Sequence, residues 1–452
     1  MMEKYGEMIF KTESLCPICL KKIPAYRVKE DQRIYLEKEC KEHGKFKTLI
    51  WNGIPDMDTW IRKKIPSKPK KSFKKIDKGC PFDCGLCDDH RQHTCTALIE
   101  VTERCNLECN FCFASSTKDL SEDPNLDKIK FWYKRVLEAG GPYNIQISGG
   151  EPTVRDDLDK IIKMGHDLGF EFIQLNTNGI RIGQDENYVK KLKESGLDSV
   201  FLQFDGTKEY IYKKLRGKGL FEIKIKAIEN LNKYNIGIIL VPTIVPGVNM
   251  SNIGEIIDFA IEHIPVIRGV HFQPVSYFGR FPSESSENIR ITIPDIIREI
   301  EIQTNGRIKM ESFKAPGCEN SLCSFNGNYI YRGKKILESI SNKSCCSKVE
   351  RAEIGSQKAR NFVSRNWRLP NKRCRCSEDN FHEVTTFDDI LDKLKTFNFS
   401  ISGMAFQDVW NIDLDRLKDC CIHVVSNDGN LIPFCAYNLT DSDGNYLYRG
   451  KS

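Results

Sequence analysis

The sequence predicts an α/β protein in three parts: a small N-terminal metal-binding module, a central set of strand–helix repeats and a cysteine-rich C-terminal extension. Two observations carry this prediction. Short apolar segments rich in β-branched residues alternate with segments of helical periodicity through the middle of the chain. In addition, the 19 cysteines of the 452-residue chain fall into groups with the spacing of metal ligands.

The central repeats predict a parallel sheet. Six strands are expected at residues 97–101, 145–147, 172–175, 199–204, 236–241 and 269–272. Five helices are expected between them, at residues 126–139, 157–168, 188–195, 221–234 and 253–262. Strands and helices that alternate in this way place the helices outside a parallel sheet, which is either a partial barrel or a doubly wound sheet.

Residues 1–60 predict a metal ribbon. Cys16 and Cys19 form one Cys-x-x-Cys turn, and Cys40 and His43 form a second one further along. Three thiolates and one imidazole suit zinc or a single iron, so the module is expected to resemble a rubredoxin or a zinc ribbon. Residues 61–79 are rich in lysine and proline and predict a basic, solvated linker.

The composition excludes several classes of protein. Hydrophobic residues make up 40% of the chain and charged residues 29%, which is a globular mix. The net charge of +6 is mild for this length, and no nucleic-acid partner is expected. With no secretory signal and no transmembrane segment in the sequence, we expect a cytoplasmic protein. In a reducing compartment, so many cysteines indicate metal or iron–sulfur ligation.

The strongest motif follows the first central strand directly. Cys105, Cys109 and Cys112 form a Cys-x3-Cys-x2-Cys loop. Three thiolates bind three irons of a [4Fe–4S] cluster and leave the fourth iron open, as a catalytic metal requires. These cysteines are the candidate catalytic residues, and on spacing alone a zinc knuckle or an electron-transfer cluster is the alternative.

A second motif, Gly149-Gly150-Glu151-Pro152, follows the second central strand. Glycines allow a close approach of the backbone, and a carboxylate suits a cation. Together with the cysteine loop, this motif resembles the radical S-adenosylmethionine (SAM) superfamily, which also has an aromatic residue where Phe111 stands. The resemblance implies that the central repeats form a partial (β/α)6 radical SAM barrel.

The resemblance also implies roles for residues around the cofactor. SAM is expected to bind the open iron and, after one-electron reduction, to yield a 5′-deoxyadenosyl radical. The loop at Glu151 is expected to receive the SAM ammonium group. Asn178, Gln203 and Asp205 end later strands, and such polar strand ends are expected to face the SAM ribose or the substrate. Arg216 is expected to pair with the SAM carboxylate.

Residues 80–95 predict an auxiliary iron–sulfur segment just before the core of residues 96–280. Its four thiolates are a complete ligand set for a second, closed [4Fe–4S] cluster, with structural zinc as the alternative. One of the two histidines between them could replace a cysteine. The predicted ligands are Cys80, Cys84, Cys87 and Cys95.

Residues 281–452 are expected to form a C-terminal domain with a third cluster. Its predicted ligands are Cys318, Cys323, Cys421 and Cys435, and Cys420 is an equally good candidate to Cys421. Two adjacent or near-adjacent pairs have no assigned role in this prediction: Cys345 with Cys346, and Cys374 with Cys376.

The wider pattern resembles one branch of the superfamily. The Cys-Pro-x-Cys ribbon at Cys16, the Cys-Pro-x-x-Cys-Gly-x-Cys segment at Cys80 and the Ile-Pro-Phe-Cys segment at Ile432 resemble archaeal tetraether lipid synthase and the dihydropterin dimethyltransferases. Residues 324–376 do not match the lipid synthase. The chain also lacks the cobalamin-binding Asp-x-His-x-x-Gly motif, so a B12-dependent methylase is not expected.

This resemblance implies hydrogen abstraction from an unactivated carbon of a lipid- or pterin-like substrate. C–C bond formation or one-carbon transfer would follow. The implied cofactors are SAM, two or three [4Fe–4S] clusters and one zinc or mononuclear iron, and the implied partner is an electron donor such as ferredoxin or flavodoxin. The alternative is a multicluster electron-transfer or scaffold protein without SAM turnover.

Overall fold

The computed structural model describes residues 6–118, 122–282, 290–340, 349–370 and 387–450. At the N-terminus, four strands form an antiparallel sheet in the order β1-β2-β3-β4. They are β1 (Glu7–Leu15), β2 (Lys22–Glu30), β3 (Arg33–Cys40) and β4 (Gly44–Asn52), and the short helix α1 (Met57–Trp60) follows. The predicted ribbon is therefore an antiparallel sheet whose β1–β2 and β3–β4 turns carry the Cys-x-x-Cys and Cys-x-x-His motifs.

The centre of the chain is a six-stranded parallel sheet, which confirms the predicted fold class. Its strands are β5 (Thr96–Glu100), β6 (Asn144–Ser148), β7 (Ile173–Thr177), β8 (Ser199–Gln203), β9 (Gly237–Val241) and β11 (Ile267–Pro274), with the short β10 (Thr243–Ile244) beside β11. The helices are α2 (Leu126–Glu138), α3 (Leu158–Asp167), α4 (Ile180–Gln184), α5 (Glu186–Glu194), α6 (Glu209–Arg216), α7 (Phe221–Lys233) and α8 (Ile253–Glu262). All six predicted strands and all five predicted helices are present; α4 and α6 are additional.

The C-terminal residues extend this sheet at both edges. Their strands are β12 (Ser324–Tyr331), β13 (Leu337–Ser339), β14 (Asn398–Met404), β15 (Ile422–Val425) and β16 (Leu431–Pro433). Their helices are α9 (Ile293–Gln303), α10 (Ala352–Asn366), α11 (Phe387–Thr396), α12 (Leu414–Leu417) and α13 (Phe434–Asn438). The strand order is β13-β12-β14-β11-β9-β8-β7-β6-β5-β15-β16, so this region is part of the central sheet. Residues 281–452 therefore do not stand apart as the separate domain that the sequence suggested.

The linker that the sequence predicted at residues 61–79 lies against the rest of the protein. The backbone N–H of Ile65 donates to Glu350 O at 2.9 Å, and Ala352 N donates to Ile65 O at 2.8 Å. Most of its lysine side chains remain exposed, as expected from the basic composition. The segment thus fastens the ribbon to the start of α10.

A cavity of about 510 Å³ lies between one face of the sheet and helix α10. Alternate residues of the strands point into it, among them Gln146, Gln174, His271 and Asn328. Strands β5 to β8, β11, β12 and β14 all contribute to its wall. We call this space the lumen cavity. Among the described residues, no helix is both long and apolar enough to cross a membrane.

Candidate active site and metal centres

The Cys105–Cys112 loop leaves the carboxyl end of β5 and is tied down along its length. Cys105 N donates to Thr117 O at 3.0 Å, and Cys112 N donates to Arg280 O at 2.9 Å. Cys105, Cys109 and Cys112 share one apolar cluster with Leu107. Burial raises the pKa of the Cys105 thiol to about 12, which disfavours its thiolate form.

Arg280 is a structural residue of this loop that the sequence analysis missed. Its Nε donates to Cys109 O at 2.8 Å, and its Nη2 donates to Ser116 O at 3.1 Å. The first carbonyl lies within the cysteine loop and the second lies four residues beyond Cys112, so this one side chain ties the loop to the segment that follows it. Arg280 lies 168 residues after Cys112 in a segment with no motif of its own. No local sequence pattern therefore predicted that its side chain contacts the cysteine loop.

The Gly149–Gly150 turn packs directly on the cysteine loop. Gly150 N donates to Thr102 O, and Glu151 N donates to Arg104 O, both at 2.8 Å. A Cβ at Gly150 would lie only 2.3 Å from the Arg104 carbonyl oxygen. The glycines are therefore needed because the two backbones touch, which is the close approach that the sequence predicted.

The Glu151 carboxylate is buried beneath this turn and accepts hydrogen bonds from three neighbouring residues. Its Oε1 accepts hydrogen bonds from Thr153 N, Thr153 Oγ1 and Thr177 Oγ1, at 3.1, 2.6 and 2.7 Å. Its Oε2 accepts from Asn178 N at 2.7 Å. A carboxylate oxygen has about two lone-pair sites, so Oε2 retains the capacity to accept one further donor. Pro152 begins a short 3-10 turn directly after it.

Asn178 links the third central strand to the cysteine loop. Its Nδ2 donates to Asn106 Oδ1 at 2.7 Å, and its Oδ1 accepts from Ile180 N at 3.0 Å. Its carbonyl accepts a bond from the buried Lys224 ammonium. Burial lowers the pKa of Lys224 to about 8. The strand-end position that the sequence singled out is therefore part of a network behind the loop.

Asp205 and Arg216 form a buried ion pair behind Cys109. Arg216 Nε donates to Asp205 Oδ2 at 2.7 Å, and Nη2 donates to Oδ1 at 2.6 Å. Gln203, with its amide oxygen turned toward Arg216, accepts from Nε and Nη1 at 3.2 Å. Asp205 is 0% exposed. The expectation that it faces a ligand is wrong, because its carboxylate is occupied by Arg216. Phe111 packs on a neighbouring apolar cluster.

Comparisons with known proteins agree with this arrangement. The radical SAM superfamily model matches residues 99–260, and the model of the HMPTM N-terminal zinc ribbon domain matches residues 8–52. The chain is 36% identical over 475 aligned residues to the 7,8-dihydro-6-hydroxymethylpterin dimethyltransferase of Methanocaldococcus jannaschii, which covers 95% of this chain and 93% of that relative. The chain belongs to the radical SAM superfamily.

More distant relatives match only in part. The GTP 3′,8-cyclase of Nautilia profundicola is 29% identical over 177 residues, 38% of this chain and 55% of the cyclase. Streptococcus suis SuiB bound to S-adenosylmethionine has 22% identity and a TM-score of 0.39, over 47% of this chain and 48% of SuiB. The chain thus spans about half of each of these two proteins. As a radical SAM enzyme it requires SAM and a [4Fe–4S] cluster.

The ribbon of this radical SAM enzyme has the geometry of a site for one metal ion. His43 Nδ1 lies 3.5 Å from Cys16 Sγ and 3.5 Å from Cys40 Sγ, and Cys19 Sγ lies 4.0 Å from Cys40 Sγ. A tetrahedral zinc with Zn–S of about 2.3 Å and Zn–N of about 2.0 Å places S and N ~3.5 Å apart. The four side chains predicted from the sequence converge, and the donor set fits zinc or a single iron.

The predicted auxiliary set of four cysteines is divided by the structure. Cys80, Cys84 and Cys87 line one small pocket, and they repeat the Cys-x3-Cys-x2-Cys spacing. A hydrogen bond with Cys80 and burial raise the pKa of Cys84. Cys95 instead lies with Cys318 and Cys421. Its assignment to the upstream cluster is therefore wrong, because Cys95 immediately precedes β5 and lines the lumen cavity.

The predicted C-terminal set is divided as well. Cys421 lies with Cys318, whereas Cys323 Sγ is 3.4 Å from the Arg416 guanidinium and Cys435 Sγ accepts from Gln407 N at 3.2 Å. Burial, and then the charges of Cys435 and Cys323, raise the pKa of Cys420. Cys420 and Cys421 thus belong to different groups of thiols. Cys345, Cys346, Cys374 and Cys376 lie outside the described residues.

Proposed function

We propose that this enzyme cleaves SAM at a cluster held by Cys105, Cys109 and Cys112 and transfers one-carbon groups from a separate one-carbon donor to a pterin ring bound in the lumen cavity. The observation that carries the proposal is the cavity wall, where unpartnered polar atoms face a space of small-molecule size. When bound, the cluster supplies the electron that converts SAM to a 5′-deoxyadenosyl radical. The remaining steps depend on groups of the protein.

The donor set around the cysteine loop fits this cofactor pair. The three thiols come from one anchored loop, and the loop abuts the Gly149–Gly150 turn. The free lone pair of Glu151 Oε2 would accept an N–H of the SAM ammonium group. Arg216 lies behind Cys109, with its guanidinium in contact with that side chain. We assign Arg216 and Asp205 a positioning role rather than direct contact with SAM.

The lumen cavity begins at this loop, because Phe113 and Ser148 line it and are direct neighbours of the two motifs. Asn176 Oδ1 and Asn328 Oδ1 are buried there without a hydrogen-bond partner among the described residues. The indole Nε1 of Trp367, also in the wall, is likewise unpartnered. Buried polar groups in native proteins are normally satisfied, so these atoms indicate a ligand with both N–H donors and acceptors.

A reduced pterin has this chemistry. Its ring and amino N–H groups would donate to the two asparagine oxygens, and its ring nitrogens or carbonyl would accept from Trp367. Phe201 flanks the same space, with its ring centroid 5.0 Å from that of Trp367. A volume of about 510 Å³ lies in the usual range for small-molecule sites, which favours a pterin over a long lipid. The jannaschii relative bears the name of a dihydropterin dimethyltransferase.

The test is anaerobic turnover of the reconstituted protein with SAM, dithionite and 7,8-dihydro-6-hydroxymethylpterin. We expect the pterin to increase formation of 5′-deoxyadenosine, because the radical takes a hydrogen atom from it, while the methyl group of the cleaved SAM leaves on methionine. Asn328→Leu should lower the pterin-dependent rate and leave the slow rate without pterin unchanged. Cys105→Ala/Cys109→Ala/Cys112→Ala should abolish both rates.

Two results would contradict the proposal in different ways. If a lipid substrate and not the pterin stimulated 5′-deoxyadenosine formation, the class of substrate would be wrong. If the metal-loaded protein neither bound SAM nor released 5′-deoxyadenosine under any reductant, the cysteine loop would serve only electron transfer.

A further inference from the structure

Three thiols from distant parts of the chain meet at the end of the lumen cavity that lies away from the cysteine loop. The Sγ atoms of Cys95, Cys318 and Cys421 all lie within 4.8 Å of one another, and Cys95 and Cys421 are 3.1 Å apart. All three residues are buried from solvent, yet all three line the cavity. We call this group the lumen trio.

The backbone of each member of the lumen trio is fixed. Cys95 N and Thr96 N both donate to Cys421 O, at 2.8 and 3.3 Å. The carbonyl of Cys318 accepts from Gln92 Nε2 at 2.5 Å and also from the Lys64 ammonium. The thiols therefore converge because strand pairing and two side chains hold their backbones, which is the preorganisation that a metal site needs.

Among the described residues, the trio supplies three of the four ligands that a zinc or iron–sulfur centre takes. Within the described residues, no fourth cysteine or histidine joins these three sulfurs. The adjacent Cys420 turns away and places its Sγ 3.2 Å from Ile422 O. Thiolates select zinc or iron–sulfur centres, and three protein ligands with one free position is the arrangement of a metal that binds an exogenous ligand.

The three sulfur-bearing residues line the space in which the substrate is proposed to bind. Glu319 lies at the rim, with Oε2 3.7 Å from Cys421 Sγ and with Oε1 held by the Ser324 hydroxyl. The lumen trio lies at the start of β5, and the cysteine loop follows its end. Five extended residues span about 16 Å, so a ligand bound to the trio would extend toward the SAM loops.

We propose that Cys95, Cys318 and Cys421 hold a metal centre whose free position binds a nitrogen or oxygen donor of the substrate. This rests on the proposed function only for the identity of that substrate. The metal fixes one end of the molecule, and the unpartnered amides of the wall fix its orientation. The reacting carbon then points toward the cysteine loop.

The first measurement is the content of iron, inorganic sulfide and zinc per chain in anaerobically reconstituted protein. Cys318→Ala should lose one centre, seen as zinc or as iron with sulfide. Ser356→Ala is the matched control, because it removes one buried heteroatom from α10 outside the trio and should lose none. Unchanged metal content in Cys318→Ala would overturn the proposal. Metal loss in Cys345→Ala/Cys346→Ala would overturn it too, since the fourth ligand would then be a protein thiolate.

The second measurement is the affinity for 7,8-dihydro-6-hydroxymethylpterin by equilibrium dialysis with saturating SAM, which needs no turnover. We expect Cys318→Ala to weaken binding by about tenfold or more and Ser356→Ala to leave it unchanged. If Cys318→Ala loses its metal and binds the pterin as tightly as before, the centre is structural and the proposal fails.

A small probe separates this proposal from the choice of substrate. If the wild-type protein binds no pterin, the dialysis is repeated with labelled imidazole, a simple nitrogen donor, again with saturating SAM to occupy the open iron of the cysteine loop. Imidazole binding that disappears in Cys318→Ala supports an open metal position even though the pterin assignment has failed. Absence of imidazole binding to the wild type overturns the proposal.

Discussion

Replacing Asp205 by asparagine tests whether the ion pair behind Cys109 supports the active site. Asp205 accepts two charge-assisted bonds from Arg216, at 2.7 and 2.6 Å, and a third from Thr243 N at 3.2 Å. The side chains of Arg216 and Asp205 are 5% and 0% exposed. Breaking a buried pair by removing one charge costs about 3–5 kcal/mol, because the other charge stays buried. Asparagine keeps the shape and one acceptor, so we expect about 3 kcal/mol.

The matched control is Asp156→Asn, which breaks a pair of nearly the same length in solvent. Asp156 lies 2.7 Å from Arg181, but its side chain is 89% exposed. Exposed pairs contribute at most about 1 kcal/mol, so this variant should unfold almost as the wild type does. Urea unfolding of the metal-loaded protein, followed under anaerobic conditions, measures both changes in unfolding free energy.

The same variants have an activity readout. Arg216 interacts with the Cys109 thiol, so its displacement in Asp205→Asn should slow 5′-deoxyadenosine formation, whereas Asp156→Asn should not. The double variant Asp205→Asn/Arg216→Gln removes both charges and should recover part of the lost stability. The reasoning would be refuted if Asp205→Asn were no more destabilising than Asp156→Asn.

Three further predictions follow from single positions. Gly150→Ala should abolish SAM binding in equilibrium dialysis, because its Cβ would meet Arg104 O, whereas Gly169→Ala, which has open space around it and adds only local backbone strain between α3 and β7, should retain binding. Cys40→Ser should remove one zinc or iron per chain and no sulfide; loss of sulfide would disprove the single-ion assignment. Burial lowers the pKa of His271 to about 4, from the usual 6.5. The unfolded chain therefore gains a proton first, and stability should fall by about 2.5 kcal/mol from pH 6.5 to 4. His271→Asn should flatten that part of the urea-derived profile, and an unchanged slope would exclude His271 as its cause.

The central strands could be predicted from sequence because each is a short apolar run between helices of clear periodicity. The edge strands could not, because their partners are remote. β14 pairs with β11, where His271 lies opposite Ser402, more than a hundred residues further along the chain. Nothing local distinguishes such a strand from other irregular segments of the C-terminal region. The polar wall of the lumen cavity depends on these late strands, so sequence alone did not reveal it.

The cysteine motifs predicted candidate metal ligands, but closeness in sequence did not predict how those side chains are grouped in space. The four candidate ligands of the ribbon converge because two short turns place all of them on one small sheet. Cys95 was grouped wrongly because it is only eight residues from Cys87 in sequence. The chain enters the central sheet directly after Cys95, and Cys95 lies in the wall of the lumen cavity. Closeness in sequence therefore did not predict which cysteines lie together in space at a point where a strand begins.

Strand register explains why the choice between Cys420 and Cys421 had no answer in the sequence. β15 pairs in parallel with β5, and Ile422 lies opposite Thr96. The residues just before these two, Cys421 and Cys95, are consequently neighbours. Successive residues point to opposite sides of an extended chain, so Cys420 lies with Cys435 instead. A shift of one residue would exchange the two thiols. The adjacent cysteines therefore serve two different groups, and the sheet register assigns each of them.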